Sequence, residues 1–228
     1  MPRFARVVVP NCPHHVTQRG NERRDVFFTH TDREVYLGLT KQYSDLHDVQ
    51  VLGFCLMTNH VHLILQPEHP NGLAKMMREV QMRYSQFRHA LERGNGHLWQ
   101  SRYYSCPVEP DRLASVMRYV ELNPVRAKIS ETAEAYPWSS ASVHLGAPDA
   151  RALLTLASWS NTWKPDEWSA VLHRAERETH AIREATYGGR PLGSPHFIET
   201  LETTLQRPLK RGTPGRPKKT ELNQTAAA

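Results

Sequence analysis

VQVLGFCLMT (49–58) and HVHLILQP (60–67) decide the fold. Both runs are rich in β-branched and long aliphatic residues, the composition of a pleated, half-buried strand. Thr58 and Asn59 stand between them, so the spacing predicts a tight antiparallel hairpin. Upstream, Val35, Leu39, Tyr43 and Leu46 recur at helical spacing from Asp32 to about His47, with Thr31 and Asp32 as N-cap candidates. Before that helix, the stretch from His14 reads as a first strand running into a loop. Downstream, Leu73, Met76, Met77, Val80, Tyr84 and Phe87 share one side of a long helix over 71–93. LWQSRYYSCPVE (98–109) is extended. A last helix runs from its cap at Asp111 to Leu122 and is bounded by Pro124. The order β-α-β-β-α-β-α predicts an α+β chain: a ferredoxin-like antiparallel sheet covered by helices.

Beyond Ala127 the pattern loosens. YPWSSAS (136–142) reads as a docking loop, and two helices are expected near 149–158 and 165–186. GRPLGSPH (189–196) is a turn-rich joint, and FIETLETTLQ after it makes a short amphipathic helix. The expected organisation is a catalytic domain over 1–145, a helical extension over 146–209 and a basic, unstructured tail over 210–228.

The chain has 228 residues, 39% hydrophobic and 23% charged, which suits an ordinary globular fold. No run of about 18 apolar residues exists, so a membrane span is not expected. Three cysteines without a close pair argue against a disulfide scaffold and fit a reducing cytoplasm. The net charge of +6 sits in LQRPLKRGTPGRPKK (205–219), and elsewhere basic and acidic residues cancel. A neutral body with a cationic tail suggests a polyanionic partner.

His60-Val61-His62 opens a strand, where residues two apart face the same way. Two imidazoles then stand side by side, their Cβ atoms roughly 6–7 Å apart at about 3.3 Å rise per residue. They can ligate one divalent metal, or they can be two surface histidines; a metal site needs a third ligand. Tyr119 and Asn123, four apart on the helix before Pro124, share a face. Their hydroxyl and amide can point at one spot, or Tyr119 can be core and Asn123 a cap. His14 and His15 form no spacing with another ligand type and read as structural.

Four motifs, T-N-H-V-H-L-I-L (58–65), G-H-L-W-Q-S-R-Y (96–103), R-Y-V-E-L-N-P-V-R-A (118–127) and Y-P-W-S-S (136–140), occur in an order and spacing that closely resemble the REP-associated tyrosine transposases. These belong to the single-tyrosine transposases with a His-hydrophobe-His motif. The resemblance covers roughly 5–145, and 189–219 resembles the C-terminal extension of one branch. It implies that Tyr119 is the nucleophile and that His60, His62 and Asn123 hold Mg²⁺ or Mn²⁺. It also implies a single-stranded, hairpin-forming DNA substrate and a cytoplasmic, nucleoid-associated monomer or homodimer.

The residue types suit that chemistry. A metal polarises the phosphoryl oxygen of a backbone diester. Tyrosine attack gives a 5′-phosphotyrosine and a free 3′-OH, so strands can be rejoined without ATP. Tyr84, Tyr103 and Tyr104 compete for the role, but none has a ligand-type residue four positions later on a helix. Trp99 and Arg102 can line a single-strand groove. Arg19, Arg23 and Arg24 can touch phosphates. Arg216, Lys218 and Lys219 form a core like an AT-hook, suited to the minor groove of an A·T-rich duplex. The alternative from another class is a DNA-binding regulator that has lost catalysis.

Overall fold

The computed structural model describes residues 5–92, 94–174 and 179–210. β1 (His14–Arg19), α1 (His30–Leu46), β2 (Val49–Leu56), β3 (His60–Pro67), α2 (Gly72–Glu92) and β4 (Tyr104–Pro107) follow one another as βαββαβ. The strands form one antiparallel sheet in the order β2-β3-β1-β4. That is the ferredoxin-like arrangement expected from the element order. Seven further helices are described: α3 (Leu113–Glu121), α4 (Asn123–Arg126), α5 (Ala141–His144), α6 (Ala157–Thr162), α7 (Pro165–Leu172), α8 (Thr179–Gly188) and α9 (Pro195–Leu205).

Local chemistry moves some boundaries. The cap of α1 is Thr29, not Thr31 or Asp32. Its hydroxyl accepts the Asp32 N–H at 3.1 Å, and the Asp32 carboxylate accepts the Thr29 N–H at 2.8 Å. Asp32 also takes a 2.7 Å bond from buried Arg88, tying α1 to α2. Asp111 caps nothing. It sits in a 3₁₀ turn, Pro110–Arg112, ahead of α3. The helix expected over 149–158 is mostly absent. The Asp149 carboxylate takes the Leu154 N–H at 2.7 Å, and the Thr155 N–H reaches the Val51 carbonyl at 2.8 Å, which holds this segment against β2. The helix expected over 165–186 is two, α7 and α8.

Strand alternation gives the sheet two unlike faces. The register sets Val16 near Leu63, and Val61, Leu63 and Leu65 all lie on that side, fully buried. α2 covers this face; a Cβ on Gly72 would stand 3.3 Å from Val49. The opposite face carries His15, Thr17 and Arg19 from β1, paired with Ile64, His62 and His60 of β3. α3 and α8 lie over it. Gly53 of β2 permits the close approach of α3, since a Cβ there would meet the Met117 Sδ at 2.3 Å. α8 packs chiefly on β4, and also on β1.

α3 is pinned from behind by Glu121, which is fully buried. Its carboxylate accepts from the Ser140 hydroxyl at 2.6 Å and the Trp168 indole at 2.8 Å, and lies 2.6 Å from the His144 Nδ1. Residues 138–140 add to the free edge of β2 through Leu56 N–H to Trp138 O and Ser140 N–H to Phe54 O. The docking role expected of the YPWSS segment is therefore met, by strand addition and by one hydroxyl on a buried carboxylate.

Candidate active site

The polar face of the sheet, α3, α4 and α8 enclose an open cleft of about 630 Å³. His60, His62, Tyr119 and Asn123 all line it. Arg19, Arg23, Arg126 and Arg183 line it too, and among the described residues no aspartate or glutamate does. A concave surface lined by four guanidiniums favours a polyanion such as a nucleic-acid backbone.

The His60 and His62 rings, placed on one face by the two-residue strand repeat, lean together edge-on with centroids 5.0 Å apart. Burial pushes His60 down to about 4, helped by the charge of Arg19. Burial holds His62 well below the ordinary histidine range, with His60, His15 and nearby arginines adding to the effect. Both rings are therefore neutral near pH 7 and carry one lone-pair nitrogen each. Asn59 selects that nitrogen in His60. Its Nδ2 donates to the Arg23 carbonyl at 3.0 Å, so its Oδ1 is the atom 2.6 Å from the His60 Nδ1. The Nδ1 carries the proton, and the Nε2 lone pair is left for a ligand.

Asn123 follows the same logic. Its Nδ2 donates to the Tyr119 and Val120 carbonyls, both at 3.1 Å, so both amide protons are used at the end of α3. Its Oδ1 remains as an acceptor on the cleft. Among the described residues no group of three His, Cys, Asp or Glu is arranged to hold a metal. Two neutral imidazoles and one amide oxygen, with no protein carboxylate, fit a loosely held divalent cation that keeps positions open for other oxygens.

Tyr119 is almost fully buried, with its ring edge-on to His62 at 5.7 Å. The Arg126 guanidinium lies over that ring, 4.3 Å from its centroid, and its Nη2 donates to the Tyr119 carbonyl at 2.5 Å. The Arg183 Nε donates to the Tyr119 hydroxyl at 3.4 Å. The phenol oxygen thus meets positive charge from α8, and the ring is clamped from α4.

The other tyrosines separate cleanly. Tyr84 is core; its hydroxyl donates to the Val26 carbonyl at 2.6 Å. Tyr103 is buried beneath Arg6, whose guanidinium is 3.8 Å from the ring. Tyr104 does reach the cleft, at its mouth, edge-on to Tyr187 at 5.1 Å. Of the proposed DNA contacts, Arg19 and Arg23 line the cleft, whereas Arg24 is exposed and paired with Glu22. Arg102 lines a smaller neighbouring cavity of about 120 Å³ with Arg6, Tyr104 and Tyr187. Trp99 is half-buried and stands apart from the residues that line the cleft. It packs on Tyr36 and Tyr84 at about 6 Å and donates to the Gln81 carbonyl at 3.3 Å, so its indole face is spent on the α1–α2 core. Arg216, Lys218 and Lys219 lie outside the described residues.

Several site residues escaped the sequence reading. Arg126 had a readable signal, since it follows Tyr119 by two helical turns. Asn59 was read only as a turn residue. Arg183, Thr186 and Tyr187 come from the extension and had no local signal. His15 was read as structural, yet its Nε2 lies 2.8 Å from the His62 Nδ1 and its Nδ1 lies 2.8 Å from the Thr186 hydroxyl.

Residues 8–123 match the family model described as Transposase IS200 like, just over half of the chain. Among solved structures, the chain resembles the REP-associated tyrosine transposase bound to a REP hairpin, with a TM-score of 0.55 and 17% identity. That match covers 68% of this chain and 90% of the other, and the likeness is one of fold. A protein described as a candidate transposase of Deinococcus radiodurans R1 is 20% identical with a TM-score of 0.37, covering 53% of this chain and 96% of its own. No curated protein matches the chain.

Proposed function

The chain belongs to the IS200-like transposases, and on that premise we propose that it cuts and rejoins single-stranded DNA through a covalent bond to Tyr119. One observation carries this reading. His60, His62, Asn123 and Tyr119 arrive from two distant stretches of chain in a single cleft that Arg19, Arg23, Arg126 and Arg183 also line. A hydrolytic nuclease needs no buried tyrosine beside its metal ligands; a transesterifying one does.

The DNA backbone would enter along Arg19 and Arg23. Tyr119 would attack phosphorus through its phenol oxygen. The new P–O bond forms as the bond to the 3′ oxygen breaks; the phenol proton leaves and the departing oxygen takes one up. Arg183 places positive charge at the phenol oxygen, and Arg126 fixes the ring on its line of approach. His60, His62 and the Asn123 amide oxygen would hold Mg²⁺ or Mn²⁺, which when bound stabilises charge on the phosphoryl and leaving oxygens. The 3′-OH can later attack the phosphotyrosine, so joining needs no outside energy. The structural relative was solved with a REP hairpin, which supports a hairpin-bearing single strand as substrate here. The basic tail would add phosphate contacts of its own.

Full-length protein incubated with a hairpin oligonucleotide and Mn²⁺ should give a covalent adduct on a denaturing gel. Tyr119→Phe keeps the ring and removes the hydroxyl, so the adduct should vanish while DNA binding stays. An adduct that survives in Tyr119→Phe would move the nucleophile to Tyr104 or Tyr187, the other tyrosines on the cleft. DNA binding with neither cleavage nor adduct in the unaltered protein would favour a DNA-binding regulator.

A further inference from the structure

His62 is held by a chain of hydrogen bonds that begins on α8, outside the segment matched by the family model. The Thr186 hydroxyl donates to the Ile182 carbonyl one turn back, at 2.7 Å. The same oxygen lies 2.8 Å from the His15 Nδ1, and the His15 Nε2 lies 2.8 Å from the His62 Nδ1. The two imidazole planes lie 13° apart with centroids 5.1 Å apart, the end-to-end, nearly coplanar placement that an in-plane N–H···N bond requires. His15 is fully enclosed and makes no contact that would suit a ligand role of its own.

We propose that α8 sets the tautomer of His62 through His15, so that the Nε2 lone pair of His62 is preset toward the cleft. The argument counts protons. A peptide carbonyl only accepts, so the Thr186 proton lies on Ile182 and the hydroxyl oxygen presents lone pairs to His15. The His15 Nδ1 must then donate. A neutral imidazole has one ring proton, so the His15 Nε2 is an acceptor, and the His62 Nδ1 must donate to it. The lone pair of His62 is left on Nε2. The Cys106 Sγ, 3.4 Å from the Thr186 oxygen, can add a weak donor and reinforces its acceptor role toward His15. Reversing the threonine rotor would reverse every proton and put N–H where a ligand nitrogen is needed. His15 and Thr186 are positioning residues in this scheme. Second partners of this kind typically change metal affinity by about 10–100-fold.

The proposal rests on the reading of His62 as a metal ligand, and its test separates the two. Imidazole nitrogen resonances of the full-length, metal-free protein at neutral pH report the tautomer directly, and Mn²⁺ titration calorimetry reports affinity. His62 should carry its proton on Nδ1. Thr186→Val is nearly isosteric and removes the acceptor of the His15 Nδ1–H. The His15 proton should then move to Nε2 and that of His62 to Nε2 likewise, with Mn²⁺ affinity falling about 10-fold. Thr186→Ser restores an acceptor and should restore both readouts. A His62 proton found on Nε2 in the unaltered protein, or a tautomer indifferent to Thr186→Val, would overturn the proposal. Tautomers that follow Thr186 while Mn²⁺ fails to bind the unaltered protein would uphold the relay and sink the ligand reading instead.

Discussion

Val61 and His62 are neighbours in the chain but belong to opposite worlds. Val61 faces α1 and α2 among Val16, Leu63 and Leu65, where each fully buried aliphatic side chain contributes about 1.5–3 kcal/mol. His62 faces α3 and α8 among Thr17, His15 and Tyr119. Both residues are almost fully buried, so burial alone does not tell a core from a site. The difference is what each face does with its polar atoms. The apolar face closes its few polar groups on the protein itself, as at His14, whose two ring nitrogens meet the Val9 N–H and the Cys12 carbonyl. On the other face His15 has a partner at both ring nitrogens, whereas His60 and His62 each have one, at Nδ1, and keep the second nitrogen for something else. The lesson is that one sheet can separate stability from chemistry by alternation, provided helices cover both sides.

The largest effect should come from breaking the two faces in turn. His62→Ala should cost at least about 100-fold in metal-dependent cleavage, in line with losing a ligand, and little in stability. Leu63→Ala, one residue on, should cost about 2–5 kcal/mol in urea unfolding while leaving Mn²⁺ affinity unchanged in the folded fraction. If His62→Ala retained full metal-dependent activity, or Leu63→Ala altered metal affinity, the division between faces would not hold.

A smaller effect should appear with pH, and it sharpens the comparison because β1 places one histidine on each face. Burial pushes His14 down to about 4 and His15 down to about 3. In the unfolded chain both return to about 6.5. Between these values the unfolded state binds more protons, so stability is whole above about pH 6.5 and is lost as pH falls toward 4. Each ring should contribute about 1.4 kcal/mol per pH unit within that window. Urea unfolding at pH 7.5 and 5.0 tests this, with His14→Gln and His15→Gln each removing one proton from the slope. A stability independent of pH across that interval would show that neither ring is held neutral by the fold.

The smallest effect on chemistry should come from the tail. Truncation after residue 210 leaves every cleft residue in place and removes Arg211, Arg216, Lys218 and Lys219. Adduct formation at excess oligonucleotide should persist. The slope of log affinity against log salt should fall by up to about 3, at about 0.7–0.9 per lost phosphate contact. Equal slopes for the two proteins would remove the tail from the DNA interface and with it the AT-hook reading.

The sequence by itself determined what depends on short-range periodicity. Period two along β3 sets His60 and His62 side by side, and period 3.6 along α3 and its continuation sets Asn123 beneath Tyr119. The element order was enough for the ferredoxin-like sheet, because βαββαβ leaves few ways to cover both faces. The hairpin at Thr58 and Asn59, and both long helices, were legible for the same reason. Helix ends were less so, since Thr29 and Asp149 won through side-chain bonds to particular backbone groups. Only the tertiary structure decided which residues from distant segments meet. Trp99 went to the core because Tyr36 and Tyr84 offered it an aromatic wall. Arg183 reached Tyr119 because α8 docks on β4 and β1. His15 turned from a filler into the partner of His62 because β1 pairs antiparallel with β3 and α8 brings Thr186 to its other nitrogen. Pairing register and helix docking arise from cooperative packing of the whole chain, and local spacing carries no record of them.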